Sequence, residues 1–274
     1  MAAEARVRAT FNYTRDTGTP PEVYFYEPPP GTPIRPPGDD PHDMPVHDGW
    51  PHAGGFSLDR QGFALRDFPS GFTEWDNDAA IRERFYPEVI AFVRDAVGAS
   101  RAIVFDHTIR TKANAAQQTA EHTTTQRAPV MIVHCDYTPN SGPLRVRQLL
   151  PDEAESLLAR RVAFYNVWKP LRRPVEEKPL GMCDATTSTE ADFITMPLRY
   201  RERNGEIFVM RHAPEHRWWY FPQMRPDHAL LLKTYESERD GRARFLGHSA
   251  FEDPNTAPDA PARESIELRT IAFF

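Results

Sequence analysis

Short β-strand patterns, rather than helical ones, dominate the second half of this 274-residue chain. Stretches rich in β-branched and aromatic side chains recur with turn-forming residues between them, and no strand–helix–strand alternation interrupts the series. These stretches are residues 162–168, 193–199, 207–211, 217–221, 229–235, 243–248 and 266–274. Such a series predicts a mainly β protein with peripheral helices, folded as a sandwich or barrel.

Proline dominates the prediction for the N-terminal part, because 27 prolines against 14 glycines disfavour long regular elements. Two strands are predicted at residues 7–15 and 22–27. Residues 28–51 contain Pro, Gly and Asp throughout, so we expect an ordered loop laid over the body, without regular structure. A wider Pro-rich loop region, 28–75, then lies outside a barrel core at residues 100–274.

The clearest helical pattern covers residues 76–97, where apolar side chains recur every three or four residues. Asp76 or Asn77 can cap its start, and Gly98 suits the position after its end. Pro87 lies inside the pattern and should kink or split the helix. Three further segments are predicted, namely a strand at 102–110, a mobile polar loop at 111–128 and a short helix at 152–161.

Composition limits the function classes. A net charge of −6 and a pI near 5.9 argue against a nucleic-acid or anionic-membrane partner. Two cysteines give no disulfide framework, no signal peptide opens the chain, and no apolar run is long enough to span a bilayer. We expect a single cytoplasmic domain over residues 1–274, monomeric or homodimeric, that acts on a small molecule.

A histidine and a carboxylate follow the apolar stretch 128–133, which predicts a strand. His134 and Asp136 are two residues apart, so on an extended backbone both project from the same face. Such a pair supplies two of the three ligands of a site with two histidines and one carboxylate, which leaves positions open on Fe(II). The pair alone is a weak signal, because a histidine hydrogen-bonded to a loop carboxylate has the same spacing.

Two later features can complete this site. His248 ends a predicted strand, and a barrel can bring it to the pair. Arg263 and Ser265 precede the last strand on one face, where a guanidinium beside a hydroxyl suits a carboxylate. A buried Arg263 needs an anionic partner, which could also be a protein carboxylate, Glu264 or Glu267.

Several longer motifs carry a family resemblance. They are His134-Cys135-Asp136-Tyr137, Asn166-Val167-Trp168-Lys169-Pro170, Cys183-Asp184-Ala185, Arg217-Trp218-Trp219-Tyr220-Phe221-Pro222, His248-Ser249-Ala250-Phe251-Glu252-Asp253-Pro254 and Arg263-Glu264-Ser265-Ile266-Glu267-Leu268-Arg269. The sequence resembles the Fe(II)/2-oxoglutarate-dependent oxygenases, which fold as a double-stranded β-helix (jelly-roll, cupin-like) barrel. Within them it resembles a group that contains gibberellin-desaturase-like, fungal endoperoxide-forming and cephamycin-pathway proteins. The resemblance runs from about residue 100 to the end.

The resemblance implies roles for individual residues. His134, Asp136 and His248 would ligate Fe(II), and Arg263 with Ser265 would bind the distal carboxylate of 2-oxoglutarate. The family oxidises its substrate with O2 by hydrogen abstraction, which gives hydroxylation, desaturation or ring formation together with succinate and CO2. For this chain we expect a small substrate, a secondary metabolite or an amino-acid derivative.

Other residues and functions stay open. Asn166 and Trp168 share a strand face and can line the pocket, with Asn166 near the cosubstrate, although Trp168 also suits the core. Arg110 and Arg217 can bind an acidic substrate or can be ordinary charged residues. Two rival functions are a non-catalytic ligand-binding barrel with a relic metal site and a methyltransferase-associated pathway protein. The second is disfavoured because the sequence has no Gly-x-Gly turn.

Overall fold

Two β-sheets form the body of the protein in the computed structural model, which describes residues 5–110, 126–127, 129–202 and 204–274. Within these ranges the strands are β1 (Ala5–Tyr13), β2 (Val23–Tyr24), β3 (Asp40–Asp48), β4 (Phe63–Asp67), β5 (Arg101–Arg110), β6 (Gln126–Arg127), β7 (His134–Cys135), β8 (Val162–Pro170), β9 (Leu180–Cys183), β10 (Phe193–Arg199), β11 (Asn204–Met210), β12 (Trp218–Tyr220), β13 (His228–Glu236), β14 (His248–Ala250) and β15 (Ser265–Phe273). The α-helices are α1 (Asp78–Ala80), α2 (Tyr86–Val97), α3 (Ser141–Leu149) and α4 (Ala154–Leu158).

The sheets face each other across an apolar core. The larger sheet has the order β1-β3-β12-β9-β14-β7-β11-β10-β2, and the smaller has the order β4-β13-β8-β15-β5-β6. Side chains from both sheets, such as Met182 of β9 and Leu232 of β13, share one buried cluster. The predicted mainly β fold with peripheral helices, a jelly-roll barrel, is confirmed. No helix in the described part of the chain is long and apolar enough to cross a bilayer.

Strand β8 is buried along its whole length because both of its faces are covered. Phe164 and Trp168 lie in the core between the sheets, whereas Ala163, Tyr165 and Val167 pack in the cluster that includes residues of α2. A strand covered on both faces reads as a continuous apolar run, which is how the sequence presents it. Asn166 is the polar exception on the inner face, and it therefore marks a position where the interior needs a hydrogen-bonding group.

The prediction that residues 28–51 lack regular structure is wrong, because β3 lies among them. β3 pairs antiparallel with β1 and parallel with β12. Its prolines, Pro41 and Pro45, are four residues apart, so their nitrogens face the same edge. Proline has no backbone N–H, so a strand can hold it along an edge where no neighbouring strand needs that donor. The pairing of β12 with β3 covers Val46–Asp48 and does not reach Pro41 or Pro45. The wider region 28–75 also contains β4.

The predicted helix at residues 76–97 is present but divided. A π-helical segment, Ile81–Phe85, separates α1 from α2, and Pro87 occupies the first turn of α2. The Asn77 side chain accepts a hydrogen bond from the Ala80 backbone N–H, as an N-cap does. Gly98 follows α2 with φ 68°, which confirms the predicted left-handed position after the helix.

Other boundaries differ because a strand needs a partner. The strand predicted at 128–133 is absent from residues 129–133, which form only the single bridge from Ile132 to Asn12. The strand predicted at 243–248 is shifted to β14, since β9 and β7 pair only with residues from His248 onward. The predicted mobile loop at 111–128 lies outside the described residues except for β6. The short helix predicted at 152–161 is confirmed as α4, whereas β4, β9 and α3 were not predicted.

Helix α3 depends on close packing at Gly142, where a Cβ atom would lie 2.8 Å from the ring of Tyr235. We expect Gly142→Ala to lower the free energy of unfolding by up to about 2 kcal/mol. Overpacking costs about 1–3 kcal/mol, and the better helix propensity of alanine returns about 1 kcal/mol. Urea unfolding measures the change. Gly71→Ala is the control, because its Cβ would meet no atom within 4 Å, and an equal effect of both changes would contradict the packing argument.

Candidate active site

Three side chains suited to metal binding meet where β7 and β14 pair. His134 of β7 lies directly opposite His248 of β14, and Asp136 follows β7 by one residue. One ligand atom from each residue lies within 4.8 Å of the others. The predicted pair and the distant histidine therefore lie together, although β7 is only two residues long.

Both imidazoles are held so that the same nitrogen faces inward. Nδ1 of His134 donates to the Ile132 carbonyl at 2.8 Å, and Nδ1 of His248 donates to the Leu246 carbonyl at 3.1 Å. A carbonyl only accepts hydrogen bonds, so Nδ1 carries the proton and Nε2 keeps a lone pair. Nε2 of His248 is buried without a hydrogen-bond partner among the described residues. A metal ion would satisfy this atom, so the residues present fit such an ion.

The pKa values agree with a metal-binding state. Burial, with the neighbouring His248, lowers the pKa of His134 to about 4, so its imidazole is neutral near pH 7. Burial alone would raise the pKa of Asp136. The guanidinium of Arg269, the two histidines and the Asn166 amide together outweigh that effect and keep the pKa below its usual range. Neutral imidazoles and an ionised carboxylate are the forms that bind metals.

Asp136 is fixed through one of its two oxygens. The Asn166 amide donates to Oδ2 at 2.5 Å, and Nε of Arg269 lies 3.5 Å from the same oxygen. The other oxygen, Oδ1, lies 3.8 Å from Nε2 of His134. The protein therefore holds Oδ2 and directs Oδ1 towards the histidines.

A second buried carboxylate, Glu267, lies in the same network. It contacts Arg269 at 3.0 Å and Arg110 at 3.5 Å, and it accepts a hydrogen bond from Asn166 at 3.2 Å. Arg269 also contacts Asp106 at 3.1 Å. Burial and the neighbouring Asp136 would both raise the pKa of Glu267, and the guanidinium groups of Arg110 and Arg269 keep it below its usual range.

Arg263 has its counter-charges, Glu267 and Glu177, only at longer range. It is only 3% exposed, and its Nη1 donates to the Lys178 carbonyl, but Nε has no hydrogen-bond partner among the described residues. Among the described residues no carboxylate lies within 4.0 Å of its guanidinium. The neighbouring Glu264 pairs with Arg172 instead. Burial, with Arg110 nearby, lowers its pKa to about 9 against the opposing effect of Glu267 and Glu177, and Arg263 therefore stays charged near pH 7.

Ser265, two residues after Arg263, begins β15, and its hydroxyl is also buried without a partner among the described residues. Of the protein carboxylates considered as alternative partners, Glu264 pairs with Arg172, whereas Glu267 pairs with Arg269 and acts on Arg263 only at longer range. Arg263 and Ser265 therefore leave buried donors ready for an acceptor from a ligand.

A cavity of about 460 Å³ opens over His134 and Asp136. Its size lies in the range of pockets that hold drug-sized ligands. Most of its wall is apolar. The apolar and aromatic lining residues are Val23, Phe25, Pro37, Phe105, Val130, Ile132, Tyr137, Leu144, Met196, Leu198, Tyr200, Ile207 and Val209.

Comparisons with known proteins agree with this geometry. A sequence model of the family described as an oxidoreductase/YMDC permease-like domain matches residues 11–273. The hydroxylase/desaturase efuI of Hormonema carpetanum is 32% identical over 247 residues, which are 84% of this chain and 82% of that protein. The Fe(II)/2-oxoglutarate-dependent dioxygenase nvfI of Aspergillus novofumigatus is 30% identical over 266 residues, or 94% of this chain and 93% of that protein.

Solved structures of the iron and alpha-ketoglutarate-dependent endoperoxidase NvfI show the same fold. One has a TM-score of 0.85 at 25% identity and covers 97% of each chain. Another, in a different conformation, has a TM-score of 0.86 at 26% identity and covers 100% of this chain and 99% of that one. The chain belongs to the Fe(II)/2-oxoglutarate-dependent oxygenases. The oxygenase is thus an oxidoreductase of a family that uses Fe(II), 2-oxoglutarate (alpha-ketoglutarate) and O2, and the predicted resemblance is confirmed.

The remaining sequence candidates fall in different places. Arg110 lines the oxygenase cavity, whereas Arg217 borders a second cavity together with Asp184 and Trp219. A substrate-binding role for Arg217 therefore has no support from its position. Asn166 contacts the carboxylates of the network, and Trp168 lies deeper, in the apolar core between the sheets.

Sequence reasoning missed two contributors to this oxygenase site. Arg269 of β15 is distant from Asp136 in sequence but contacts it in the structure. The contact depends on the pairing of β15 with β8, which the sequence does not show. Helix α3 supplies cavity residues at helical spacing. They are Ser141, Leu144, Arg145 and Gln148. That periodicity was a usable signal, but Gly142 and Pro143 made the segment resemble a turn.

Removing Arg269 should be costly in the metal-free protein, because Asp136 and Glu267 would then be buried without their shared counter-ion. We expect Arg269→Met to lower the free energy of unfolding by about 3–5 kcal/mol in urea. The control is Arg147→Met, since Arg147 forms an exposed ion pair with Glu155, and there we expect little change. A stability of Arg269→Met equal to that of the wild type would show that the buried network does not hold the site together.

Proposed function

We propose that His134, Asp136 and His248 bind one Fe(II), through Nε2 of each histidine and the free oxygen of Asp136. The observation that carries this proposal is the inward-facing, unpaired Nε2 of His248 beside the other two ligand atoms. Two neutral imidazoles and one carboxylate would leave a net charge of +1 at the metal. That charge favours an anionic cosubstrate.

Arg263 and Ser265 would hold the distal carboxylate of 2-oxoglutarate. A guanidinium fork and a hydroxyl two residues apart suit a carboxylate, and both residues have buried donors that no described residue satisfies. Bound iron would supply the O2-dependent oxidation that couples conversion of 2-oxoglutarate to succinate and CO2 to hydrogen removal from the prime substrate. The protein's part is to orient both molecules and to keep water from the reacting centre.

The prime substrate is a small, largely apolar molecule, a secondary metabolite or an amino-acid derivative, that occupies the cavity over His134 and Asp136. The apolar wall supports this choice. Arg145 lines the cavity, is half-buried, and makes no ion pair with a described residue, so it can meet a polar or anionic group of the substrate. The outcome is hydroxylation, desaturation or ring formation.

We also infer that the oxygenase works in the cytoplasm as a single domain, monomeric or homodimeric. Residues from both sheets share one core, which supports a single domain. Cys135 and Cys183 are free and buried, which suits a reducing compartment.

Loss of a ligand tests the metal site. We expect Asp136→Ala and His248→Ala to keep the fold but to weaken Fe(II) binding by more than the roughly 10–100-fold that loss of a supporting residue costs. Competition with a colorimetric chelator under anaerobic conditions measures iron affinity, and circular dichroism checks the fold. The control is His228→Ala, since His228 pairs with Asp227 outside the site. Bound iron and near-wild-type turnover in Asp136→Ala would refute the assignment.

Replacement of Arg263 tests the cosubstrate site. Lysine keeps the charge but lacks the bidentate fork, and a hydrogen bond to a charged group contributes about 1.5–3 kcal/mol. We therefore expect Arg263→Lys to raise the KM for 2-oxoglutarate about ten-fold or more, without changing iron affinity. Succinate release is measured against 2-oxoglutarate concentration with iron in excess. Arg172→Lys, at an exposed ion pair with Glu264, is the control, and an unchanged curve for Arg263→Lys would place the cosubstrate elsewhere.

A further inference from the structure

Trp168 has a buried indole N–H with no hydrogen-bond partner among the described residues. Its side chain is only 2% exposed. Other tryptophans of the protein satisfy this group, since Trp50 donates to the Pro222 carbonyl and Trp218 donates to the Tyr13 hydroxyl, both at 2.8 Å. A buried indole N–H normally finds an acceptor. The exception at Trp168 therefore indicates an acceptor that the described residues do not provide.

The position of Trp168 identifies the place of that acceptor. Trp168 of β8 lies directly opposite Glu267 of β15, and Ser265 follows on the same face of β15 two residues away. The guanidinium carbon of Arg263 lies 5.7 Å from the centre of the Trp168 ring. Trp168, Arg263 and Ser265 therefore lie in one part of the interior, and each has a donor that no described residue satisfies.

The surroundings of these donors are apolar. Trp168 packs in the core cluster between the sheets, and that cluster supplies aliphatic side chains. They are Leu65, Val175, Leu180, Met182, Leu230, Leu232 and Leu246. Leu246 also accepts the hydrogen bond from His248 through its carbonyl, so this region borders the metal ligands. A ligand with an anionic end and a short hydrocarbon chain matches such walls and donors.

We propose that Trp168 is a third anchor of the cosubstrate, donating its indole N–H to the same distal carboxylate that Arg263 and Ser265 bind. This inference rests on the proposed function. A neutral N–H donor adds a directed hydrogen bond without adding charge, and the Arg263 guanidinium lies over the indole face at a cation–π distance. Trp168 therefore helps the oxygenase select a five-carbon 2-oxo diacid over a 2-oxo monoacid of the same length.

Two ligands separate this role from general packing. 2-Oxopentanoate has the same five carbons as 2-oxoglutarate but carries a methyl group where the distal carboxylate would be. Calorimetric titration of the Fe(II)-loaded protein under anaerobic conditions gives the Kd of each ligand without turnover. We expect Trp168→Phe to weaken 2-oxoglutarate binding about ten-fold and to leave 2-oxopentanoate binding unchanged. Iron affinity should also stay the same.

Trp218→Phe is the matched control, because Trp218 is equally buried but donates to Tyr13 away from this pocket. It should leave the Kd of both ligands unchanged. Should Trp168→Phe fail to fold, benzothienylalanine at position 168 keeps the ring shape and replaces only the N–H with sulfur. The same loss of 2-oxoglutarate affinity is expected from it.

Three results separate the possible failures. Unchanged 2-oxoglutarate affinity without the indole N–H would overturn the role of Trp168 and would indicate a buried water as the acceptor. Equal weakening of both ligands would overturn it in favour of a packing role. Absence of 2-oxoglutarate binding to the Fe(II)-loaded wild type would instead refute the proposed function, on which the inference depends.

Discussion

Buried charge on the inner face of β15 is the constraint around which this oxygenase site is arranged. Glu267 and Arg269 are two residues apart on that face. Neither can be placed in a barrel interior without a counter-charge. Arg269 is balanced by Asp136, Glu267 and Asp106, and Glu267 is balanced partly by Arg110. The same contacts that neutralise the strand also orient Asp136, so stability and metal binding share one network.

At the N-terminal end of β15, by contrast, the polar groups are not balanced. Arg263 and Ser265 keep buried donors that the described residues do not satisfy, and each such donor costs about 1–3 kcal/mol. A stable fold tolerates that cost where a ligand removes it. The protein therefore separates two tasks on and just before one strand, with a satisfied network that holds Asp136 and an unsatisfied group that suits the proposed carboxylate.

Sequence patterns were sufficient for the parts of the site that depend on local spacing. The pair His134 and Asp136, and the pair Arg263 and Ser265, follow from the two-residue period of extended chain. The association of Asp136 with Asn166 and Arg269 could not be predicted, because it depends on pairings between distant strands. The mainly β class was also predictable, but strand ends were not, since a strand ends where its neighbour does. A β-bulge in β5 is a second feature that the sequence did not predict. Arg269 pairs with Asp106 and Thr270 pairs with Val104, so Phe105 has no partner in β15, and its side chain lines the cavity.

The central claim is that one iron ion occupies the space between β7 and β14. Crystals of the protein soaked anaerobically with Fe(II), measured on both sides of the iron absorption edge, would locate the metal by its anomalous scattering. The account predicts one peak in contact with Nε2 of His134, Oδ1 of Asp136 and Nε2 of His248. A peak at any other group of side chains, or none although the soaked protein carries iron, would contradict it.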